Sequence, residues 1–308
     1  MLNETQKHIL EIVSGMAADS KGAINIRADG KKAYRTNSPH IRIDSRSDGK
    51  EGIDIFVEPN TVNENVYIPV VVTNQGFHDM VYNDFYIGDG AIVTIKAGCG
   101  IHNCSDCDSE HDGIHTFHVG KNAQVTYSEI HYGEGEGAGK RILNPQTILY
   151  LEEGAKVTLE TSQIRGVDDT ARYTKAVLSG KNAEFVVQEK LLTHGQQHAV
   201  SEMDVILDGE NTRTQVVSRS VAQDASQQTF YPRVQGNQLC FGHVQCDSII
   251  MDSAKVRSIP EISCNHVDAS LIHEAAIGKI AGDQILKLMT LGLSHEEAEQ
   301  RILEGFLR

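Results

Sequence analysis

The chain has 308 residues, 40% of them hydrophobic, enough for one large domain or two smaller ones with a sizeable core. Its 28 Lys and Arg against 42 Asp and Glu give a formal charge of −14, which argues against nucleic acid and against anionic membrane surfaces as partners. The longest near-apolar run, Tyr67 to Thr73, is far too short to span a bilayer, and MLNETQKHIL lacks the basic-then-apolar pattern of a secretory signal. The expectation is a cytoplasmic protein whose six cysteines are thiols or metal ligands rather than disulfides.

In chain order, Ile9, Leu10, Ile12 and Val13 have helical spacing, predicting a helix from Asn3 to about Met16. Asn3 reads as its cap, with Glu4 and Gln6 missing the capping-box position. Residues from Ala23 to Ser47 are polar and show no regular element. Strands are expected in IDIFV and VYIPVVV, between Ile53 and Thr73.

From Tyr86 onward an internal repeat emerges. IGDGAIVTI, VGKNAQVTY, LEEGAKVTL, LSGKNAEFVV, LDGENTRTQV and IMDSAKVRS share one template, with a small residue at Ala91, Ala123, Ala155, Ala183, Thr212 and Ala254. The spacings are 32, 32, 28, 29 and 42 residues. After each small residue the pattern alternates with period 2, as in Val93 and Ile95, Val125 and Tyr127, or Val157 and Leu159. Similar strand units at near-constant spacing stack to bury one continuous core. The predicted fold is therefore mainly β, a parallel β-helix or related β-solenoid, with a sandwich of hairpins as the competing reading.

After Ile280 the period changes. ILKLMTLGL and SHEEAEQRILEGFL predict two short helices, with Gly292 closing the first and a Ser294–Glu297 capping box opening the second. The expected divisions are 1–80 (N-terminal helix and strands), 81–272 (solenoid) and 273–308 (helical domain). The helical tail reads equally as a cap over the solenoid end and as a docking surface for a partner.

Two stretches concentrate soft metal ligands. Leu239 to Ile280 holds Cys240, Cys246, Cys264, His243, His266, His273 and Glu274, and thiolate, imidazole and carboxylate together suit soft and borderline metals. Cys240 and Cys264 read as small buried hydrophobes. Cys246, between Gln245 and Asp247, reads as exposed or polar at a strand end, and His273–Glu274 as the start of the helical tail. The second stretch, Cys99 to His118, places Cys99, Cys104 and Cys107 at Cys-x4-Cys-x2-Cys spacing, as in plant-type two-iron sites. Its fourth ligand is open among His102, Asp106, His111 and a distant cysteine. Zinc, or no metal at all, also fits. His194 and His198 flank a turn and read as surface residues. The GEGEGAGK run, Gly133 to Lys140, lacks the Ser or Thr of a phosphate loop and reads as a flexible tight turn.

SRSVAQDASQQTFYPRV, FGHVQCDSIIM, IPEISC, LIHEAAIGKI and DQILKLMTLGLSHEEAEQRILEGF, in this order from about Gln215 to Arg308, resemble the SufB/SufD family of iron–sulfur cluster assembly proteins. The chain looks like a compact member. The resemblance implies a right-handed parallel β-helix core with a small helical C-terminal domain, to which the spacing from Asn3 adds an N-terminal helix. It implies a scaffold, not an enzyme, that holds a nascent two-iron or four-iron cluster and works with a SufC-like ABC-type ATPase docked on the helical tail. By the same resemblance Cys246 matches the cysteine that receives sulfur and holds the cluster, Glu274 matches a carboxylate of SufB, and His273 matches histidines of both SufB and SufD. The candidate metal ligands are thus Cys99, Cys104, Cys107, Cys246 and Glu274, with His273 completing the cluster site. Ile272 departs from SufB, which is acidic there, and the following Ala-Ala-Ile-Gly is closer to SufD. One chain combining both partners' features implies a homodimer with Cys246 of one subunit near His273 and Glu274 of the other. The alternative is a zinc-stabilised β-solenoid binding module.

Overall fold

Glycine or asparagine precedes five of the six repeated small residues, and the computed structural model, which describes residues 2–15 and 21–307, shows why. Gly90, Asn122, Gly154, Asn182 and Asn211 all have φ between 55° and 67°, a left-handed conformation that Gly and Asn enter at least cost. Each turns the chain into a strand. The next residue (Ala91, Ala123, Ala155, Ala183 or Thr212) is fully buried at the corner.

The strands form two sheets, numbered here in chain order. The first contains β1 (Ala23–Ala28), β2 (Lys31–Thr36), β5 (Val62–Val72), β7 (Ile92–His102), β9 (Gln124–Glu134), β12 (Lys156–Arg165), β14 (Glu184–Thr193), β16 (Thr212–Ala222), β18 (Cys240–Ile250) and β21 (Ala269–Gly278). The second contains β3 (Ile41–Ser45), β4 (Gly52–Val57), β6 (His78–Ile87), β8 (Ser109–Val119), β10 (Arg141–Leu143), β11 (Gln146–Leu151), β13 (Asp169–Leu178), β15 (His198–Leu207), β17 (Gln227–Gly236), β19 (Lys255–Ser258) and β20 (Glu261–Cys264). The chain alternates between them and every stacked pair from β4 and β5 onward is parallel, so the fold is a β-solenoid of about eight turns. Ile92, Gln124, Lys156, Glu184, Arg213, Phe241 and Ser270 stand in one column across the first sheet.

That column corrects the last repeat. Thr212 is level with Cys240, and Cys240 with Ala269. Ala254 instead opens β19 in the opposite sheet, and the spacing of 42 is a half-turn misassignment. Cysteine at the corner hid the true sixth unit.

The inward side chains stack into layers. Phe85 lies flat on Phe117 with centroids 4.1 Å apart, and Ile95, Tyr127, Leu159, Val187 and Val216 continue the core. Helix α1 (Glu4–Ser14) covers the outside of β5, β7 and β9. It fits because Gly98 and Gly100 lack side chains: a Cβ there would lie 2.2 Å from the Val13 carbonyl oxygen and 2.1 Å from an Ile9 methyl. Contrary to expectation α1 has a full capping box, with Asn3 accepting from Gln6 N and the Gln6 side chain accepting from Asn3 N. The expected helix end at Met16 lies outside the described residues.

Residues 23–47 are not irregular. They form the β1–β2 hairpin and β3, paired antiparallel with β4. Much of β2 is an exposed sheet edge, where no core demands apolar alternation, so its residues carry no readable period.

At the other end β21 carries the solenoid through Gly278, and α2 (Gly282–Thr290) and α3 (His295–Phe306) follow, with the predicted Ser294–Glu297 box. Leu303 packs with Val221 and Ile249 at the strand ends, so α3 anchors the tail. Helix α2 buries nothing and leaves Leu286, Met289 and, just beyond it, Leu291 exposed. Among the described residues no helix is long and apolar enough to cross a membrane.

Candidate functional site

The last turn of the solenoid brings Cys246 and His273 together. Cys246 lies within β18, and His273 on β21, the edge strand. Val244 is level with His273 and Gln245 with Glu274. Strand alternation therefore turns Val244, Cys246 and His273 inward, and His243, Gln245 and Glu274 outward. Cys246 Sγ lies 3.5 Å from His273 Nε2. Glu274 faces away from this pair and approaches His243, at 3.6 Å from Nε2, an atom that is buried and makes no hydrogen bond.

Cys246 is thus buried, 3% exposed, and not at an exposed strand end. Its polar neighbours misled because they alternate to the outer face, where Gln245 donates to Asp247 at 2.6 Å. Cys240 is buried as expected. Cys264 is exposed, because β20 belongs to the final turn and no further turn covers it. His273 and Glu274 lie within a strand, eight or more residues before the helices begin. Burial pushes the Cys246 thiol up to about 11, against a lowering by the Ser258 hydroxyl and with a further push from Glu189 and Asp247. Burial also lowers His273, so the imidazole is a neutral donor.

Sequence reasoning missed a column of buried polar groups inside the solenoid. Arg27 pairs bidentately with Asp79, and Asp79 contacts His111 at 3.2 Å. Further along, Asn83, His115 and Tyr127 connect at 3.2 and 2.6 Å, and Tyr127 donates to Glu129. Arg172 donates to Glu129 at 3.1 Å, contacts His131 at 3.1 Å and reaches Glu189 at 3.7 Å. Ser201 and Ser218 donate to Glu189, and Ser218 stands level with Cys246 on the neighbouring strand. Burial would raise the Glu129 carboxyl, but His131 and Arg172 outweigh it and hold it well below the usual carboxylate range. Burial lowers His115 to about 4. The available signal was charge on the inward parity: Glu129 sits two residues after Tyr127, and Glu189 two after Val187.

The cysteines of the first cluster are separated by the end of β7. Cys99 points into the solenoid beside His111, which burial would lower but which Cys99 and Asp79 raise. Cys104 and Cys107 are exposed on the loop after β7. Among the described residues no group of three or more His, Cys, Asp or Glu side chains gathers in metal-binding geometry. His118 lies on the outer face, stacked between Tyr86 and Tyr150, and His194 and His198 are on the surface as expected. The glycine run is a cradle for the cysteine loop. Gly137 N donates to the Asn103 carbonyl and Gly139 N to that of Ser105, and a Cβ on Gly139 would lie 2.1 Å from the Cys107 oxygen.

The family model for the SufBD core domain of SUF-system FeS cluster assembly matches residues 77–306. An iron–sulfur cluster assembly SufBD family protein of Methanothermobacter thermautotrophicus is 29% identical over 201 residues, 64% of this chain and 48% of that protein. A namesake from Pyrococcus horikoshii is 24% identical over 287 residues, 90% of this chain and 85% of its own length. A chloroplastic one from Arabidopsis thaliana is 27% identical over 230 residues, 71% of this chain and 41% of that protein. The match thus spans about half of the first relative and most of the second.

Proposed function

Because this chain belongs to the SufBD family of iron–sulfur cluster assembly proteins, we propose that it is a scaffold on which a cluster is built at Cys246 and His273. The cluster is cargo, and no organic substrate is turned over. The observation that carries the reading is the Cys246–His273 pair at 3.5 Å on the last turn, at the open edge of the first sheet.

The donor set fits. A thiol and a neutral imidazole are soft and borderline ligands, and iron replaces the thiol proton that burial holds in place. One chain contributes two converging donors where a cluster needs more, so further ligands come from outside it. A second copy is the proposed source: β21 is an open edge, and Ile272 and Ile277 are exposed on it at 43% and 40%. Glu274 and the His243 nitrogen it approaches lie on the same strand pair, facing out. Few thiolates with weaker donors exchange readily, as a site that must release its cargo requires. The exposed apolar side of α2 is the proposed seat of a SufC-like ABC-type ATPase, whose cycle would open the dimer.

The test is an absorption spectrum with iron and sulfide counts on anaerobically purified protein. A brown wild type, with colour lost in Cys246→Ala and weakened in His273→Ala, is expected. Full colour in Cys246→Ala removes the reading. A colourless protein with stoichiometric zinc after attempted reconstitution favours the binding-module alternative.

A further inference from the structure

At the end of the solenoid away from Cys246 and His273, the first sheet finishes in β2 and the second in β3. Between them opens a cavity of about 340 Å³. Its floor is the inward side of the first turn, where Ile53, Ile68 and Val81 are buried. Its rim is cationic, although the chain as a whole carries −14. Two of the five cations there have carboxylates of their own: Arg27 pairs with Asp79, and Arg46 with Asp48, Asp54 and Asp84. The other three, Lys32, Arg35 and Lys50, make no ion pair among the described residues. Glu51, the one carboxylate among the described residues that line the cavity, reaches Arg27 at 3.4 Å. Arg35 is firmly held. Its Nε donates to Asn25 Oδ1 at 2.8 Å and its Nη1 to Ser45 Oγ at 2.9 Å, which leaves Nη2 without a hydrogen bond. Burial lowers the Arg35 pKa, and nearby Asp44, itself paired with Arg42, restores only part of it. Asn25 is 8% exposed, and its amide N–H groups donate to nothing among the described residues. Lys50 Nζ lies 4.5 Å above the Tyr82 ring.

We propose that this cavity binds an organic phosphate monoester, its phosphate held by Lys32, Arg35 and Lys50 and its apolar body resting on Ile53, Ile68 and Val81. The groups left free at the rim are donors: Arg35 Nη2, the Asn25 amide and two ammonium groups. They ask for an acceptor that carries negative charge. Three cations without a counter-charge favour a dianion over a monoanion. A terminal phosphate brings three oxygens, one for each cation, where a carboxylate brings two. The apolar floor gives an ester an advantage over inorganic phosphate, because it removes the ester's body from water. A nucleic-acid strand is disfavoured, because its further phosphates would meet a chain of net charge −14. The cavity and the cluster pair lie at opposite ends of the solenoid, and the inference does not rest on the cluster reading.

The experiment titrates the full chain with phenyl phosphate by isothermal calorimetry at about pH 8, where the ester is a dianion. Saturable binding of one ester per chain is expected. Arg35→Gln should weaken it at least about tenfold, and Lys32→Gln combined with Lys50→Gln by a similar factor. Lys32 and Lys50 are exposed, so the double variant keeps its fold and decides the matter even where Arg35→Gln does not fold. Lys31→Gln, adjacent on β2 but outside the cavity, should leave the affinity unchanged. Benzoate, a monoanion, and inorganic phosphate, which has no apolar body, should each bind about tenfold more weakly than phenyl phosphate. The proposal is overturned by an absence of saturable binding at millimolar phenyl phosphate, by an affinity that the double lysine variant leaves unchanged, or by benzoate binding as tightly as the ester. Colour and iron content after anaerobic purification are read separately, so this inference and the cluster reading fail independently.

Discussion

The molecule holds two cysteine–histidine pairs in opposite settings. Cys246 and His273 sit inside the last turn at 3.5 Å, with burial holding the proton on sulfur. Cys104 and His102 sit outside at 3.1 Å, in reach of solvent and backed by Glu134. The same two residue types are thus arranged for different chemistry. A buried, protonated thiol beside a neutral imidazole waits for a metal to displace its proton. An exposed thiol beside an imidazole is open to reagents from solvent. Strand parity and position in the solenoid decide which, not residue identity.

The comparison breaks first from the inside. Arg172→Met leaves Glu129 and Glu189 buried without their guanidinium, and is expected to cost about 3–5 kcal/mol in chemical denaturation. Cys104 labelling of the folded protein should not change.

Acid acts on the interior next. Burial lowers His115 to about 4, so below its ordinary value of about 6.5 the unfolded chain binds a proton that the folded one refuses. Above pH 6.5 the residue contributes nothing. Between 6.5 and 4 it subtracts up to about 3 kcal/mol as pH falls. Denaturation midpoints at pH 7.5 and 4.5 should show a smaller acid loss in His115→Asn than in wild type.

Thiol kinetics sharpen the contrast further. A rise from 9.0 to about 11 leaves Cys246 about a hundredfold less thiolate than an unperturbed thiol at neutral pH. Its alkylation by iodoacetamide in the native protein should lag that in the urea-unfolded chain by at least this factor. Glu189→Gln removes one charge that raises the thiol and should speed native Cys246 labelling a few-fold, leaving Cys104 untouched. A Glu189→Gln protein in which both cysteines accelerate together would point to general loosening instead.

The solenoid and the closing helices are legible from the amino acids alone. Left-handed turn residues before small corner residues, and period-2 alternation after them, are local requirements that each turn meets with its own amino acids. Gly90–Ala91 and Asn182–Ala183 declare them openly, whereas Leu239–Cys240 does not, and there the reading slipped to Ala254. The Ser294–Glu297 cap was legible for the same local reason. Cys246 and His273 were legible as candidates, but their meeting inside one chain was not, because two residues 27 apart become neighbours only through the register of β18 and β21. Parity across that register also put Glu274 on the opposite face, and the end of β7 at His102 parted buried Cys99 from Cys104 and Cys107 on the loop beyond. The buried charges from Asp79 to Glu189 look like ordinary solvated residues until the two sheets close over them. Only the stacking of the turns supplied the partners, Arg27 and Arg172 among them, that make burying those charges tolerable.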